Sequence, residues 1–343
     1  MKKDASRAIA WWLFACCAMV FATLVVGGVT RLTHSGLSIV EWQPLVGAIP
    51  PLSQQDWLEL FAKYQQTPEF RTVNSDMTLA GFQFIFWWEW THRLLGRTIG
   101  LVFVLPFLVF AALRKIPGGL TPRLLGFFLL GGLQGAMGWY MVKSGLVDDP
   151  RVSHYRLAAH LGLAFLIFGL MLWTALGLLR RRGTGRPLAL PGLPRFAALL
   201  LLLVFVMALS GALVAGLHAG RVYNTFPLMH GYFLPPDLLI LEPRWINVFN
   251  NLATVQFDHR LLAWTLMLLV PLLWWRVRNA IAAPAPRRAA DAMLAMLLLQ
   301  VAMGIATLLL VVPVALAAAH QAGAMLLFAT VLWTNHELRV GID

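Results

Sequence analysis

Long apolar runs dominate the chain and alternate with short polar segments. A helix needs about 20 apolar residues to cross the hydrocarbon layer of a bilayer. Eight runs approach or exceed this length, at residues 9–29, 80–112, 123–142, 155–179, 196–217, 254–275, 290–312 and 314–334. The pattern predicts an all-α integral membrane protein with eight transmembrane helices. The first run lacks a small-residue cleavage site, so we expect it to be retained.

The composition agrees with a membrane protein. Of the 343 residues, 59% are hydrophobic and 12% are charged, which lies outside the range of soluble domains. Both cysteines, Cys16 and Cys17, are adjacent in the first run, and neighbouring cysteines in a helix do not form a disulfide framework.

The positive charge indicates the orientation in the membrane. The net charge is +12, and 16 of the 27 Lys and Arg residues lie on alternate connections and on the two termini. Basic residues are enriched on the inner side of a bilayer. We therefore expect both termini on the cytoplasmic or matrix side of a bacterial cell membrane or mitochondrial inner membrane. The charge is no indication of nucleic-acid binding.

The two halves of the chain resemble each other. Matching segments are 25–36 with 208–220, 91–96 with 258–263, 134–138 with 300–304, and 160–168 with 320–328. Because each half has an even number of spans, both enter the membrane in the same orientation. The repeat predicts two pseudo-twofold-related four-helix bundles, residues 1–182 and 196–343, joined by a charged, Gly- and Pro-containing cytoplasmic linker at 183–195.

Histidines recur at equivalent places, on the second and fourth helix of each half. They are His92, His160, His259 and His320. Each precedes the charged residue at the inner end of its helix by 17 to 22 residues, or roughly 25 to 33 Å. All four therefore lie toward the outer leaflet. A lone histidine in such a helix could simply hydrogen-bond a neighbouring helix, but the fourfold recurrence favours a common ligand.

The residue four positions after each histidine is small: Gly96, Ala164, Ala263 or Ala324. Residues i and i+4 share a helix face, so each imidazole has space beside it for a broad planar ligand. Two histidines from facing helices of one bundle are typical heme ligands. We predict two bis-histidine heme sites, His92 with His160 and His259 with His320.

The second helix of each half also carries an arginine beside its histidine. Arg93 and Arg260 stand near the outer interface and could pair with heme propionates. The alternative is that each guanidinium simply reaches the interfacial water.

One carboxylate distinguishes the halves. Glu89 lies three residues before His92 on the same face, whereas the second half has Gln256 at that position. A buried carboxylate there suits proton transfer, although Glu89 could instead be an ion-pair partner of Arg93 or Arg97. The asymmetry suggests that the chemistry takes place in the first half and that the second half has a supporting role.

Taken together, these motifs resemble those of heme A synthases of the mitochondrial and alphaproteobacterial type. The segments "VVGGVTRLTHSGLSIVEWQPLVGAIPPL", "EWTHRLLGR", "HAGRVYNTFPLM" and "FDHRLLAW" carry the resemblance, which covers nearly the whole chain. It implies an oxidoreductase that converts the C8 methyl group of heme O to a formyl group. Two successive hydroxylations, through heme I, would give heme A for terminal oxidases.

The resemblance also implies a division of labour. His259 and His320 would hold a resident heme b, whereas His92 and His160 would hold the substrate heme and Glu89 would assist at the reaction centre.

Some bacterial members have a cysteine pair in the first outer loop, but residues 30–78 contain no cysteine, so the electron donor stays open. The implied partner is heme O synthase, which supplies the substrate through the lipid bilayer. A homo-oligomer is a separate expectation that does not come from the resemblance.

Two other classes fit parts of the pattern. A diheme electron-transfer protein acting on quinol or iron would use the same histidines, and a transporter would share the repeat. Neither accounts for a carboxylate in one half only. His34 and His218, also equivalent in the repeat, could approach a heme edge or stabilise the outer loops.

Overall fold

The computed structural model describes residues 2–41, 43, 46–145, 152–179 and 192–339, and every regular element in these ranges is helical. The α-helices are α1 (Lys2–Leu32), α2 (Gln54–Tyr64), α3 (Pro68–Thr72), α4 (Leu79–Ala112), α5 (Thr121–Gly145), α6 (His154–Leu179), α7 (Gly192–Gly216), α8 (Asn247–Asn250), α9 (Leu252–Ala280), α10 (Pro284–Leu309) and α11 (Val314–Arg339). Short 3-10 turns lie in the two loops that follow α1 and α7.

Eight of these helices are long and apolar enough to cross a membrane. They are α1, α4, α5, α6, α7, α9, α10 and α11. This result confirms the all-α membrane fold predicted from the apolar runs. Several helices extend beyond the predicted runs; α9, for example, continues to Ala280. Backbone hydrogen bonding does not stop where apolar side chains do, so a helix can project into the polar interface.

Neighbour relations repeat between the two halves. In the first half α1 packs on α4 and α6, and α5 contacts both α4 and α6; in the second, α7 packs on α9 and α11, and α10 contacts both α9 and α11. Helices α1, α6, α7 and α11 also pack across the halves. The division into two bundles stays a prediction, and linker residues 183–191 lie outside the described residues.

The halves differ in how closely their second and third helices pack. Helices α4 and α5 contact each other much less than α9 and α10 do. The apolar span of α4, like that of α5, is 6% buried, against 22% for α9 and 17% for α10. The first half is therefore the more open one between these helices.

An outer loop that contains α2 and α3 covers the start of α4. Helix α2 begins with a capping box, in which the Ser53 hydroxyl accepts from the Asp56 amide and the Asp56 carboxylate accepts from the Ser53 amide. Tyr64 at the end of α2 packs on Phe82 of α4, with ring centroids 5.3 Å apart. This small apolar cluster fixes the loop above the helix that carries Glu89.

Candidate functional site

Each of the four predicted histidines lies against a glycine of a neighbouring helix. The pairs are His92 with Gly27, His160 with Gly138, His259 with Gly211, and His320 with Gly304. A Cβ atom on Gly27 would stand 2.5 Å from Cε1 of His92, closer than side chains approach. Only glycine lets the ring come this near to the facing backbone. These pairs recur with the sequence repeat, which matches Gly27 to Gly211 and Gly138 to Gly304.

The small residue after His92 leaves open space. A Cβ atom on Gly96 would meet nothing within 4 Å, whereas Ala324, four residues after His320 in α11, packs against the central apolar core. The space predicted for a planar ligand is therefore present beside His92 and is filled by protein beside His320.

Three of the four imidazoles have a buried nitrogen that the protein leaves without a hydrogen bond. In the described ranges, Nδ1 of His92, His160 and His320 is buried and has no partner of hydrogen-bond geometry. The Nδ1 atom of His259 lies 3.3 Å from the hydroxyl oxygen of Ser210. A buried polar nitrogen without a partner is costly, and iron coordination is one way to use an imidazole. The unpartnered nitrogens thus fit an axial-ligand role for His92, His160 and His320, and His259 is included because it occupies the equivalent position in the repeat.

The two histidines of each half lie within electrostatic range of each other, His92 of His160 and His259 of His320. The ring of His92 also lies near the backbone of Thr23, and the ring of His320 lies near the backbone of Gln300. Thr23 and Gln300 lie one helical turn before the facing glycines, where a carbonyl could orient the ring.

Glutamines brace the histidines on the fourth helix of each half. The amide of Gln134 donates to the backbone carbonyl oxygen of His160 at 3.1 Å, and that of Gln300 does the same to His320 at 2.9 Å. Gln134 Nε2 is also 3.3 Å from Nε2 of His160. Sequence reasoning missed these positions, although the repeat contains them as the first letter of "QGAMG" and "QVAMG".

Glu89 is 2% exposed and its carboxylate is fully engaged. Oε2 accepts from the Ser38 hydroxyl at 2.7 Å and from the Ile39 amide at 2.9 Å, and Oε1 accepts from Nε of Arg93 at 3.0 Å. The carboxylate therefore joins α4 to the chain segment that follows α1. The ion pair with Arg93, weighed from the sequence, is present.

Gln256, at the position equivalent to Glu89, also joins its helix to an outer loop, through an uncharged side chain. Its amide donates to the carbonyl oxygen of Ala219 at 2.9 Å, and its side-chain oxygen accepts from Arg260 at 3.2 Å. Both positions thus join a helix to an outer loop, but only Glu89 brings a negative charge.

Both predicted propionate partners bind loop carbonyls. Arg93 donates to the carbonyl oxygen of Ile39 at 3.0 Å, and Arg260 donates to those of Tyr223 and Thr225 at 2.8 and 2.9 Å. Arg97 donates to the carbonyl oxygen of Gln43 at 3.0 Å. The arginines therefore hold the outer loops to the helices, and contact with a propionate stays a prediction.

His34 and His218 meet each other. Their rings stack with centroids 5.6 Å apart and planes 24° from parallel, and both residues adopt left-handed backbone conformations with φ of 53° and 55°. A guanidinium nitrogen of Arg31 lies 3.4 Å from Nε2 of His218. Of the two roles weighed from the sequence, this contact supports stabilisation of the outer loops.

A second buried carboxylate lies in the first outer loop. Glu69 of α3 is 5% exposed, and its Oε2 accepts a hydrogen bond of 3.3 Å from the hydroxyl of Tyr64. Burial and the nearby Glu89 raise the pKa of Glu69 to about 7. Sequence reasoning missed this residue, because its burial depends on how the loop folds back over α4.

Comparison with known proteins decides the family. Residues 10–332 match the model of the cytochrome oxidase assembly protein family, COX15-CtaA. The chain belongs to this family. It is 60% identical to the heme A synthase of Nitrosospira multiformis, over 97% of this chain and 94% of the relative.

Two further relatives agree. Over 96% of this chain it is 55% identical to the heme A synthase of Nitrosomonas eutropha, and over 98% it is 51% identical to that of Parvibaculum lavamentivorans; 93% and 96% of these relatives are covered. Such names give no support to the electron-transfer and transporter alternatives.

Proposed function

We propose that this protein is a heme A synthase, which oxidises the C8 methyl group of heme O to a formyl group through heme I. The observation that carries the proposal is the combination of four equivalent glycine-backed histidines with the buried carboxylate of Glu89 three residues before His92, where the second half has Gln256. The relatives named above, 51 to 60% identical over nearly the full chain, are heme A synthases.

In the proposed reaction each hydroxylation is a two-electron oxidation. With water as the oxygen source, the methyl group gains a hydroxyl and releases two protons and two electrons. With dioxygen, two protons and two electrons are consumed and one water is formed. A second hydroxylation gives a gem-diol, and loss of water from it leaves the formyl group. Iron porphyrin supplies the redox chemistry when it is bound.

We assign the resident heme b to the second half and the substrate heme to the first. His259 and His320 would hold heme b between closely packed helices, which suits a cofactor that stays bound. His92 and His160 would hold heme O where α4 and α5 are less tightly packed, which suits a ligand that must enter and leave. The proximity of the two histidines within each half supports these two pairs.

Glu89 would accept and donate protons beside the substrate. Its Oε1 already binds a guanidinium and its Oε2 two further donors, so the carboxylate is held in one place. A positioned carboxylate contributes typically 10²- to 10⁴-fold to a proton transfer. Arg93 and Arg260 would keep the outer loops closed and exclude water, with propionate pairing as a further role.

The orientation supports a substrate that arrives through the bilayer. We infer from the basic residues that both termini lie on the cytoplasmic or matrix side, so that the loops that contact Glu89 and Arg260 would lie on the outer side with the histidines. Heme O is largely apolar, so transfer from a heme O synthase within the membrane is the expected supply. The electron donor and a second copy of the chain complete the proposed partners.

The test is to express the chain with a source of heme O, extract the porphyrins and determine their masses. We expect heme A together with some heme I, both lost in His92→Ala and reduced at least 10²-fold in Glu89→Gln. An exposed matched control, Glu59→Gln on α2, should leave the products unchanged. Recovery of only heme O and heme b under all conditions would overturn the proposal.

A further inference from the structure

The loop between α7 and α9 is apolar although it lies outside the transmembrane helices. From residue 222 to residue 241, Asp237 is the only acidic residue and there is no Lys or Arg. The Asp237 carboxylate is paired within the loop, where it accepts a hydrogen bond from the hydroxyl of Tyr223. Large apolar side chains of this loop are 50 to 71% exposed: Tyr232, Phe233, Leu234, Leu239, Ile240 and Trp245. An exposed apolar surface of this kind marks a contact with a partner or a membrane.

One end of the loop descends along the side of α9. Arg260 donates to the carbonyl oxygens of Tyr223 and Thr225 at 2.8 and 2.9 Å, which fixes the loop at the level of that arginine. The ring of Phe226 then stacks on Trp264, with centroids 5.6 Å apart and planes 16° from parallel. The loop therefore lies beside the second helix of its half and does not simply cap the end of that helix.

The stacked pair lies at hydrocarbon depth. Trp264 precedes Arg276 by 12 residues with no charged residue between them, or about 18 Å along α9. A hydrocarbon layer about 30 Å thick that begins at Arg276 extends past Trp264. Leu261 and Leu268 share the helix face of Trp264 and are 50 and 71% exposed, so this flank of α9 faces lipid. Phe226 packs on that flank.

The loop also pairs many of its own polar backbone groups, as a lipid environment demands. Met229 and Tyr232 exchange two backbone hydrogen bonds of 2.9 and 3.1 Å. The Thr225 hydroxyl donates to the carbonyl oxygen of Leu228 and accepts from the amide of His230, both at 2.7 Å. Two asparagine side chains at α8 bind further backbone groups of the loop. Paired backbone groups together with exposed apolar side chains suit contact with lipid.

We propose that residues 222–249 lie in the interface of the lipid bilayer on the side where α7 ends, with Phe233 and Ile240 in contact with acyl chains. A lipid surface matches this loop because it offers apolar contact without requiring charge, and because one end of the loop already packs on the lipid-facing flank of α9. Tyr232 and Trp245 combine apolar rings with polar atoms, which is typical of the headgroup level. The inference is independent of the proposed function.

The experiment places a nitroxide label on single cysteines of the full chain in vesicles of phosphatidylcholine and phosphatidylglycerol. Phe233→Cys and Ile240→Cys test the loop, Leu268→Cys is the lipid-facing reference, and Glu59→Cys on α2 is the exposed polar control. The unsubstituted chain, whose two cysteines are buried, gives the background. Oxygen concentrates in hydrocarbon and a nickel chelate stays in water, so the ratio of their effects on the label reports its depth.

We expect this ratio to be at least about tenfold higher at Phe233→Cys and Ile240→Cys than at Glu59→Cys, and close to that at Leu268→Cys. A ratio like that of Glu59→Cys overturns the inference. A label shielded from both reagents also overturns it, because another protein or a second copy of the chain would then cover the loop.

The unsubstituted chain provides an independent measurement. A lipid-soluble diazirine, photolysed in the same vesicles, should label residues 226–240 as heavily as residues 261–272 of α9 and at least about tenfold more than residues 53–63. Labelling of the transmembrane helices without residues 226–240 overturns the inference. If a cysteine substitution prevents folding, this measurement on the wild type still decides whether the loop contacts lipid.

Discussion

Gly304 lies directly against the imidazole of His320: a Cβ atom on this glycine would stand 2.8 Å from Cε1 of the ring. A contact this short, once a Cβ atom is added, would force the ring or the helix to move. We expect Gly304→Ala to remove most of the low-spin heme b absorbance, because the ring can no longer keep its position. Gly27→Ala should instead leave heme b in place and reduce heme A, since it displaces His92.

The matched control is Gly131→Ala, where an added Cβ atom would meet nothing within 4 Å. Alanine in an exposed helix position costs nothing and gains up to about 1 kcal/mol over glycine, so this variant should keep its full heme content. A normal heme b spectrum in Gly304→Ala would contradict the close contact.

Assignment of the histidines predicts a second difference between the halves. His259→Ala or His320→Ala should abolish the heme b spectrum, whereas His92→Ala should retain it and lose only product. His336→Ala is a useful control, because His336 is also buried but has no counterpart in the repeat. Absorbance spectra of the detergent-purified variants measure the outcome, and heme b retained by His259→Ala would reverse the division of labour.

Arg260 reaches two loop carbonyls with one planar group, so its replacement by lysine should loosen the second outer loop. A single ammonium cannot reproduce this fork, and loss of a hydrogen bond costs on the order of 1 kcal/mol. We expect faster hydrogen exchange in residues 222–228 of Arg260→Lys. The control Arg244→Lys, at an exposed arginine, should leave hydrogen exchange in these residues unchanged. If Arg260 also binds a propionate, heme b will dissociate from Arg260→Lys at a lower temperature than from the wild type.

Glu69 should make the protein less stable as the pH rises. Its folded pKa of about 7 lies above the ordinary value of 4.5, so the folded state binds the extra proton between these limits. Stability is then highest below about pH 4.5 and declines up to about pH 7, by at most about 3 kcal/mol. Thermal unfolding of Glu69→Gln should lack this decline, and identical pH profiles for both proteins would refute it.

Membrane-spanning helices were predictable because a bilayer demands long apolar runs, and the repeat located the histidines within them. The Glu89–Arg93 pair was also foreseeable, since residues four apart share a helix face. By contrast, the contact of Gly27 with His92 joins different helices, and the burial of Glu69 depends on a loop of low periodicity. Both follow from tertiary packing, which residue spacing along one segment does not encode.

The stacked rings of His34 and His218 have a consequence for the origin of the molecule. A residue can touch its own counterpart only near a twofold axis, and such self-contact is characteristic of an isologous dimer interface. The two halves would then meet as identical subunits do. We expect a chain cut between residues 183 and 191 to reassemble from its separate halves. The same symmetry points to an ancestral protein that consisted of one half and worked as a pair of identical copies.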